Sequence, residues 1–122
     1  MALEGVKLSF PATFVAAGAL TANTLVKIDS AGKVTNTGAG DVPLGWVPEG
    51  AGADGDLVTV YPLGPKTPCI TTAAITVGQY IKCGAAGKTV VESTPTTPTA
   101  LTIGQALSVG GTAAAGFFAA RV

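Results

Sequence analysis

Histidine is absent from the 122 residues, charged residues make up only 11% of them, aromatic residues 6%, and cysteine occurs twice. Without histidine, the commonest general base and the commonest zinc ligand are missing. No Ser-His-Asp triad, Cys-His pair or histidine-based metal site can therefore be built. The few charges also balance, seven Lys and Arg against seven Asp and Glu. Phosphate binding needs a basic excess, so no nucleic-acid partner is expected. Nor does any stretch reach the roughly 18 apolar residues that span a bilayer, which argues against a membrane partner. The apolar run from Phe10 to Leu20 is broken by Pro11 and Thr13 and follows Glu4. It reads poorly as a secretory leader, and synthesis in the cytoplasm is expected. Cys69 and Cys83 stand 14 positions apart, matching neither a CxxC redox pair nor a metal knuckle, so both read as small buried apolar residues.

What the chain does have is 48% apolar residues and 17 glycines. That is too hydrophobic for a disordered tail and short enough for one domain. A small surface with so little charge has weak colloidal repulsion, which suits contact with other protein better than a free life in solution.

An internal repeat organises the chain. Shifted by 55 positions, Ala19 to Lys33 falls on Ala74 to Lys88, with six of the fifteen pairs identical. The match resumes after a few inserted residues, Leu44-Gly45 against Ile103-Gly104, and Val58 and Val60 fall roughly opposite the last strand. The half-repeats run over about 18–64 and 73–122. Each reads as one supersecondary unit that does not bury its apolar face alone. Ile28 falls on Cys83, which places that thiol in the core.

The local pattern is β throughout. Thr24 to Asp29 and Leu57 to Tyr61 are short runs rich in β-branched residues between turn formers. Asp29 to Lys33 and Gly84 to Lys88 read as hairpin loops, with Gly32 and Gly87 where φ turns positive. The segment from Gly110 to Ala120 has the best helical composition, but Gly116 interrupts it and the repeat aligns its end with a strand. The expectation is an all-β domain of about ten short strands, a small barrel, tulip-like fold or sandwich built from two related halves. Two segments lie outside the repeat. The Thr/Pro tract over 92–99 should be an exposed loop, because proline cannot donate to a ladder. Residues 1–17 read as an extended N-terminal arm, in which Val6, Leu8 and Phe10 alternate with Lys7 and Ser9.

Chemical motifs are weak. Gly84 to Thr89 resembles the end of a phosphate loop, but Lys82 stands where its first glycine belongs, and the turn recurs in the first half as Ala31-Gly32-Lys33-Val34. The lysine after each turn lacks the flanking residues of a biotinyl or lipoyl carrier. Asp54-Gly55-Asp56 has no calcium-loop spacing. Catalytic, cofactor-binding and metal-binding residues are therefore assigned to none. The largest apolar side chains, Trp46, Phe117 and Phe118, are candidate interface anchors, with core packing as the alternative.

The paired pattern of Leu25-Val26-Lys27-Ile28, Ala31-Gly32-Lys33-Val34, Val42-Pro43-Leu44-Gly45 and Asp54 to Val60, repeated as Tyr80-Ile81-Lys82, Ala86-Gly87-Lys88, Ile103-Gly104 and a terminal apolar strand, is similar to that of the small capsid decoration (cement) proteins of tailed bacteriophages. The resemblance covers roughly residues 18 to 122. It implies a non-enzymatic virion protein on the outer surface of an expanded capsid, often a homotrimer, whose partner is the major capsid protein and which clamps neighbouring capsid subunits. On this reading the arm contacts the capsid through Leu3, Val6, Leu8, Phe10 and Phe14. Their burial alone does not offset the cost of ordering the arm, so capture needs strand addition and multivalency. The alternatives are a β-rich ligand-binding or carrier module with a pocket near Trp46, and a phage tail or fibre subunit.

Overall fold

In a computed structural model, the chain is described at Leu8 and over residues 10–64, 66–92, 94, 96–109 and 115–120. The described residues contain ten strands: β1 (Ala12–Val15), β2 (Thr24–Ile28), β3 (Val34–Asn36), β4 (Gly45–Val47), β5 (Leu57–Val60), β6 (Thr67–Ile70), β7 (Tyr80–Cys83), β8 (Thr89–Val91), β9 (Thr102–Ala106) and β10 (Ala115–Ala120). Among the described residues the single helical element is a 3-10 turn at Ala85–Gly87. The all-β expectation holds, and the described end of the Gly110 to Ala120 segment is strand, as the repeat requires.

Both halves have the same topology. In the second, the hydrogen-bonded order is β6-β10-β9-β7-β8. In the first, β1 pairs β5 and β3-β2-β4 forms a sheet, and the antiparallel bridge Trp46↔Tyr61 joins β4 to β5. The first order is therefore β1-β5-β4-β2-β3. A parallel bridge closes each ring, Ala16↔Val34 in the first half and Thr71↔Thr89 in the second. These pairs are equivalent under the 55-residue shift, so each half is a small five-stranded barrel.

The closure corrects two expectations. The repeat begins before residue 18: β1 pairs β5 of its own half with Ala12 opposite Val60, just as β6 pairs β10 with Thr67 opposite Phe118. Residues 12–17 are thus barrel, and only the segment before them can be an arm. Nor do the halves share one apolar core. Ala16, Leu20, Val26, Val34, Leu44, Val47, Val58 and Val60 form one buried cluster, and Cys69, Ile75, Ile81, Cys83, Ile103, Ala106 and Phe118 form a second, joined by Leu25 of the first half. Five strands wound into a ring enclose enough alternating side chains to fill a core of their own.

One glycine in each half permits the ring to close. A Cβ at Gly45 would run into the Tyr61 carbonyl oxygen, and at Gly104 into that of Ala119. At these points β4 crosses β5, and β9 crosses β10, too closely for any side chain.

The second barrel docks on the first through its 3-10 turn, where the two hairpin tips differ. In the first half, Asp29 Oδ1 accepts the N–H groups of Ala31 and Lys33 at 2.9 and 3.0 Å, which satisfies that turn internally. Gly84 occupies the equivalent place in the second half and has no side chain to do this. The Gly32 N–H stays in its own turn, on the Asp29 carbonyl at 3.1 Å, whereas its counterpart, the Gly87 N–H, crosses to the Thr37 carbonyl at 2.9 Å, and the Gly40 N–H reaches the Cys83 carbonyl at 3.2 Å. Gly87 has φ +73°, and a Cβ there would stand 2.7 Å from the Leu25 carbonyl. This joint also corrects the reason for placing Cys83 in the core. Cys83 is fully buried, but its counterpart Ile28 is 46% exposed, because no described element covers the first barrel at that place.

Overpacking typically costs about 1 to 3 kcal/mol. Gly104→Ala should lose at least that much stability in urea titration. Gly18→Ala, whose Cβ meets nothing within 4 Å, should stay within about 0.5 kcal/mol of the parent.

Candidate interaction surfaces

The proposed contact residues scatter rather than converge. Leu3 and Val6 lie outside the described residues. Leu8 and Phe14 are partly buried against the first core cluster, so part of each side chain is engaged within this chain. Phe10, just ahead of β1, is 65% exposed and remains available. Trp46 is half-buried against the second cluster. Its ring lies 5.6 Å from that of Tyr61, and its indole N–H donates to the Pro62 carbonyl at 3.2 Å. Phe118 points into the second barrel and is fully buried, so it is a core residue and not an anchor. Its neighbour Phe117 faces outward, 37% exposed, with the Lys66 ammonium 4.7 Å from its ring centroid.

Strand alternation separates Phe117 from Phe118, but the amino-acid sequence did not single out the exposed residues around Phe117. Val77, Leu107 and Val109 are exposed, and the Leu107 N–H donates to the Phe117 carbonyl at 2.9 Å. In the first half Leu57 is 74% exposed. It lines a groove of about 200 Å³ together with Pro48, Glu49, Gly50, Thr59 and Tyr61. Trp46 does not itself line this groove, but its ring packs on that of Tyr61, which does. Among those residues, no group of three His, Cys, Asp or Glu side chains is placed to hold a metal ion. No helix there is long and apolar enough to cross a membrane.

The Thr/Pro loop is exposed from Thr94 onward wherever it is described, but its first residue departs from that pattern. Glu92 is buried. Its carboxylate accepts the hydroxyls of Thr102 at 2.5 Å and Thr99 at 2.9 Å, and the Lys82 ammonium lies 3.7 Å away. Burial alone would raise the Glu92 carboxyl. The two hydroxyls and Lys82 outweigh it and hold the group below its ordinary value. Asp41 is also lowered, by a hydrogen bond from Lys27 and another from the Gly38 N–H. Both cysteines are free and buried. Burial pushes the Cys83 thiol up to about 11 and raises that of Cys69 as well, so both are poor nucleophiles.

No family model matches the chain, and no curated protein matches it in sequence. Among solved structures, the head fiber gp8.5 N base of bacteriophage phi29 superposes with a TM-score of 0.73 at 20% sequence identity. The match covers 91% of this chain and 92% of that one. This chain shares that fold. Coverage so nearly complete on both sides extends the likeness beyond a single barrel to the two-barrel arrangement.

Two predictions come from these environments. A carboxyl lowered in the folded state stabilises the fold above its unfolded value, near 4.5 for Glu92. That stability is lost as pH falls through the lower folded value. The urea midpoint should therefore drop between pH 6 and pH 3, and Glu92→Gln should reduce the drop while costing about 1 to 3 kcal/mol at pH 7. With the protein folded, a thiol-reactive disulfide reagent should modify neither cysteine over minutes; both should react in denaturant.

Proposed function

We propose that this chain is a non-enzymatic structural protein of a bacteriophage virion, seated as a homotrimer on the outer surface of the expanded capsid in contact with the major capsid protein. The observation that carries this reading is the two-barrel fold held in common with the head fiber base of phi29 over nine-tenths of both chains. The resemblance of the paired turns to capsid decoration proteins points the same way. So does composition: zero net charge, 11% charged residues and no histidine suit a protein that works by contact.

Two modes of attachment fit this role. A cement protein clamps neighbouring capsid subunits, whereas a fibre base anchors an appendage. The soft turn motifs favour clamping and the fold favours a base. They separate in one measurement, the temperature at which shells rupture with and without the bound protein: a clamp raises it and a base leaves it unchanged.

Of the proposed arm contacts that are described, Leu8, Phe10 and Phe14, Phe10 is the most exposed. The contact is assigned to Phe10 and the residues before it, with strand addition supplying what apolar burial does not.

The purified protein should co-sediment saturably with expanded shells from its own phage and not with unexpanded ones. Replacing Phe10 with Ser together with deletion of residues 2–7 should weaken that binding at least tenfold, with unchanged circular dichroism. Absence of binding to both shell forms would sink the proposal.

A further inference from the structure

The two barrels provide an internal control. Residues at equivalent positions do the same structural work, so a difference in surface chemistry between them is not required by the fold. The register equates Val60 with Phe118 and Gly45 with Gly104. It follows that Thr59 and Pro48 are the counterparts of Phe117 and Leu107, and Ala22 is the counterpart of Val77. One end of the second barrel is therefore apolar, with Phe117, Leu107 and Val77 exposed, where the first barrel has Thr59, Pro48 and Ala22. The cation at that apolar end is Lys66, held over the Phe117 ring. The corresponding end of the first barrel is instead the groove of about 200 Å³, with Leu57 and Tyr61 exposed and Glu49 on its wall. Neither Lys66 nor Glu49 has an ion-pair partner among the described residues, whereas Lys27, Lys33 and Lys82 are each paired.

One end thus offers protruding apolar side chains beside a free cation, and the other a groove with apolar side chains beside a free anion. We infer that the occupant of the groove is a second copy of this chain, which inserts Phe117 and Leu107 against Leu57 and Tyr61 and sets Lys66 beside Glu49. The two surfaces differ, so the contact is head-to-tail, and copies joined this way close into a ring when their rotation permits. Apolar insertion supplies the affinity, and the Lys66–Glu49 pair sets the register and excludes the reversed pairing. The inference rests on the reading above only for the number of copies, three. The contact itself is independent of capsid binding.

Analytical ultracentrifugation of the full chain from about 1 to 200 µM tests it. The expected result is a concentration-dependent ring in which Lys66→Glu or Glu49→Lys alone weakens association about tenfold. The double variant should return to within about threefold of the parent. Phe117→Thr, which installs the first barrel's own residue, should yield a folded monomer with unchanged circular dichroism. A parent that stays monomeric throughout would overturn the inference, as would single charge reversals without effect or a double variant no better than the singles. Shell co-sedimentation of the same variants keeps the two readings apart: monomeric variants that still bind shells leave the capsid reading standing alone, and an intact ring that binds no shell does the reverse.

Discussion

Each barrel closes because a backbone carbonyl of its last strand occupies the place where a side chain of its fourth strand would stand. At Gly45 the Tyr61 carbonyl fills that space, and at Gly104 the Ala119 carbonyl does. With that crossing in place, β5 and β10 lie near enough to both neighbours to complete the ring. The edges that five short strands would otherwise expose then find partners in the Ala16↔Val34 and Thr71↔Thr89 bridges. The cores follow from closure, since Val60 and Phe118, the residues beside the crossing, are both fully buried.

From the joint between the barrels comes the molecule's asymmetry. A pair of barrels related by a two-fold would bury both hairpin tips alike. Here Gly87 is buried against Leu25 while its counterpart Gly32 is exposed; Ala85 and Ala86, like Ser30 and Ala31, are exposed. The tips differ in one donor: the Gly32 N–H stays in its own turn on the Asp29 carbonyl, and the Gly87 N–H crosses to Thr37. A tandem so arranged has two chemically different ends. That is why a head-to-tail contact between copies is natural for it and a symmetric one is not.

Much of this was legible in the amino-acid sequence, and what was not has identifiable physical causes. The 55-residue repeat, the β-hairpins and the positive-φ glycines follow from local turn chemistry, and Gly32 and Gly87 have φ +79° and +73°. The start of the repeat was hidden because Ala12 to Val15 and Thr67 to Ile70 share a backbone path and no residue identity; only pairing reveals their equivalence. Ile28 and Cys83 show the limit of reasoning from aligned positions. Burial there depends on whether another barrel lies alongside, a tertiary fact that no local pattern encodes. The adjacent phenylalanines were separable in principle by alternation. That separation required the register of β10, which hydrogen bonding to β6 and β9 sets.

Glu92 marks where the repeat was modified most. It stands in register with Thr37, whose carbonyl accepts the joint's hydrogen bond, yet it carries a charge into a buried position. A buried carboxylate persists only if hydrogen-bonded and paired, and here the loop supplies Thr99, the start of β9 supplies Thr102 and β7 supplies Lys82. Between equivalent positions the second half is four residues longer than the first, seen as the rise in shift from 55 at Thr37–Glu92 to 59 at Gly45–Gly104. Those extra residues bring the hydroxyls back to the carboxylate. Glu92 without the longer loop would lose the Thr99 hydroxyl, and the loop without Glu92 would lose the acceptor that ties its base to the barrel. The insertion and the acid therefore form one structural change, made at the surface that in the first barrel receives its neighbour.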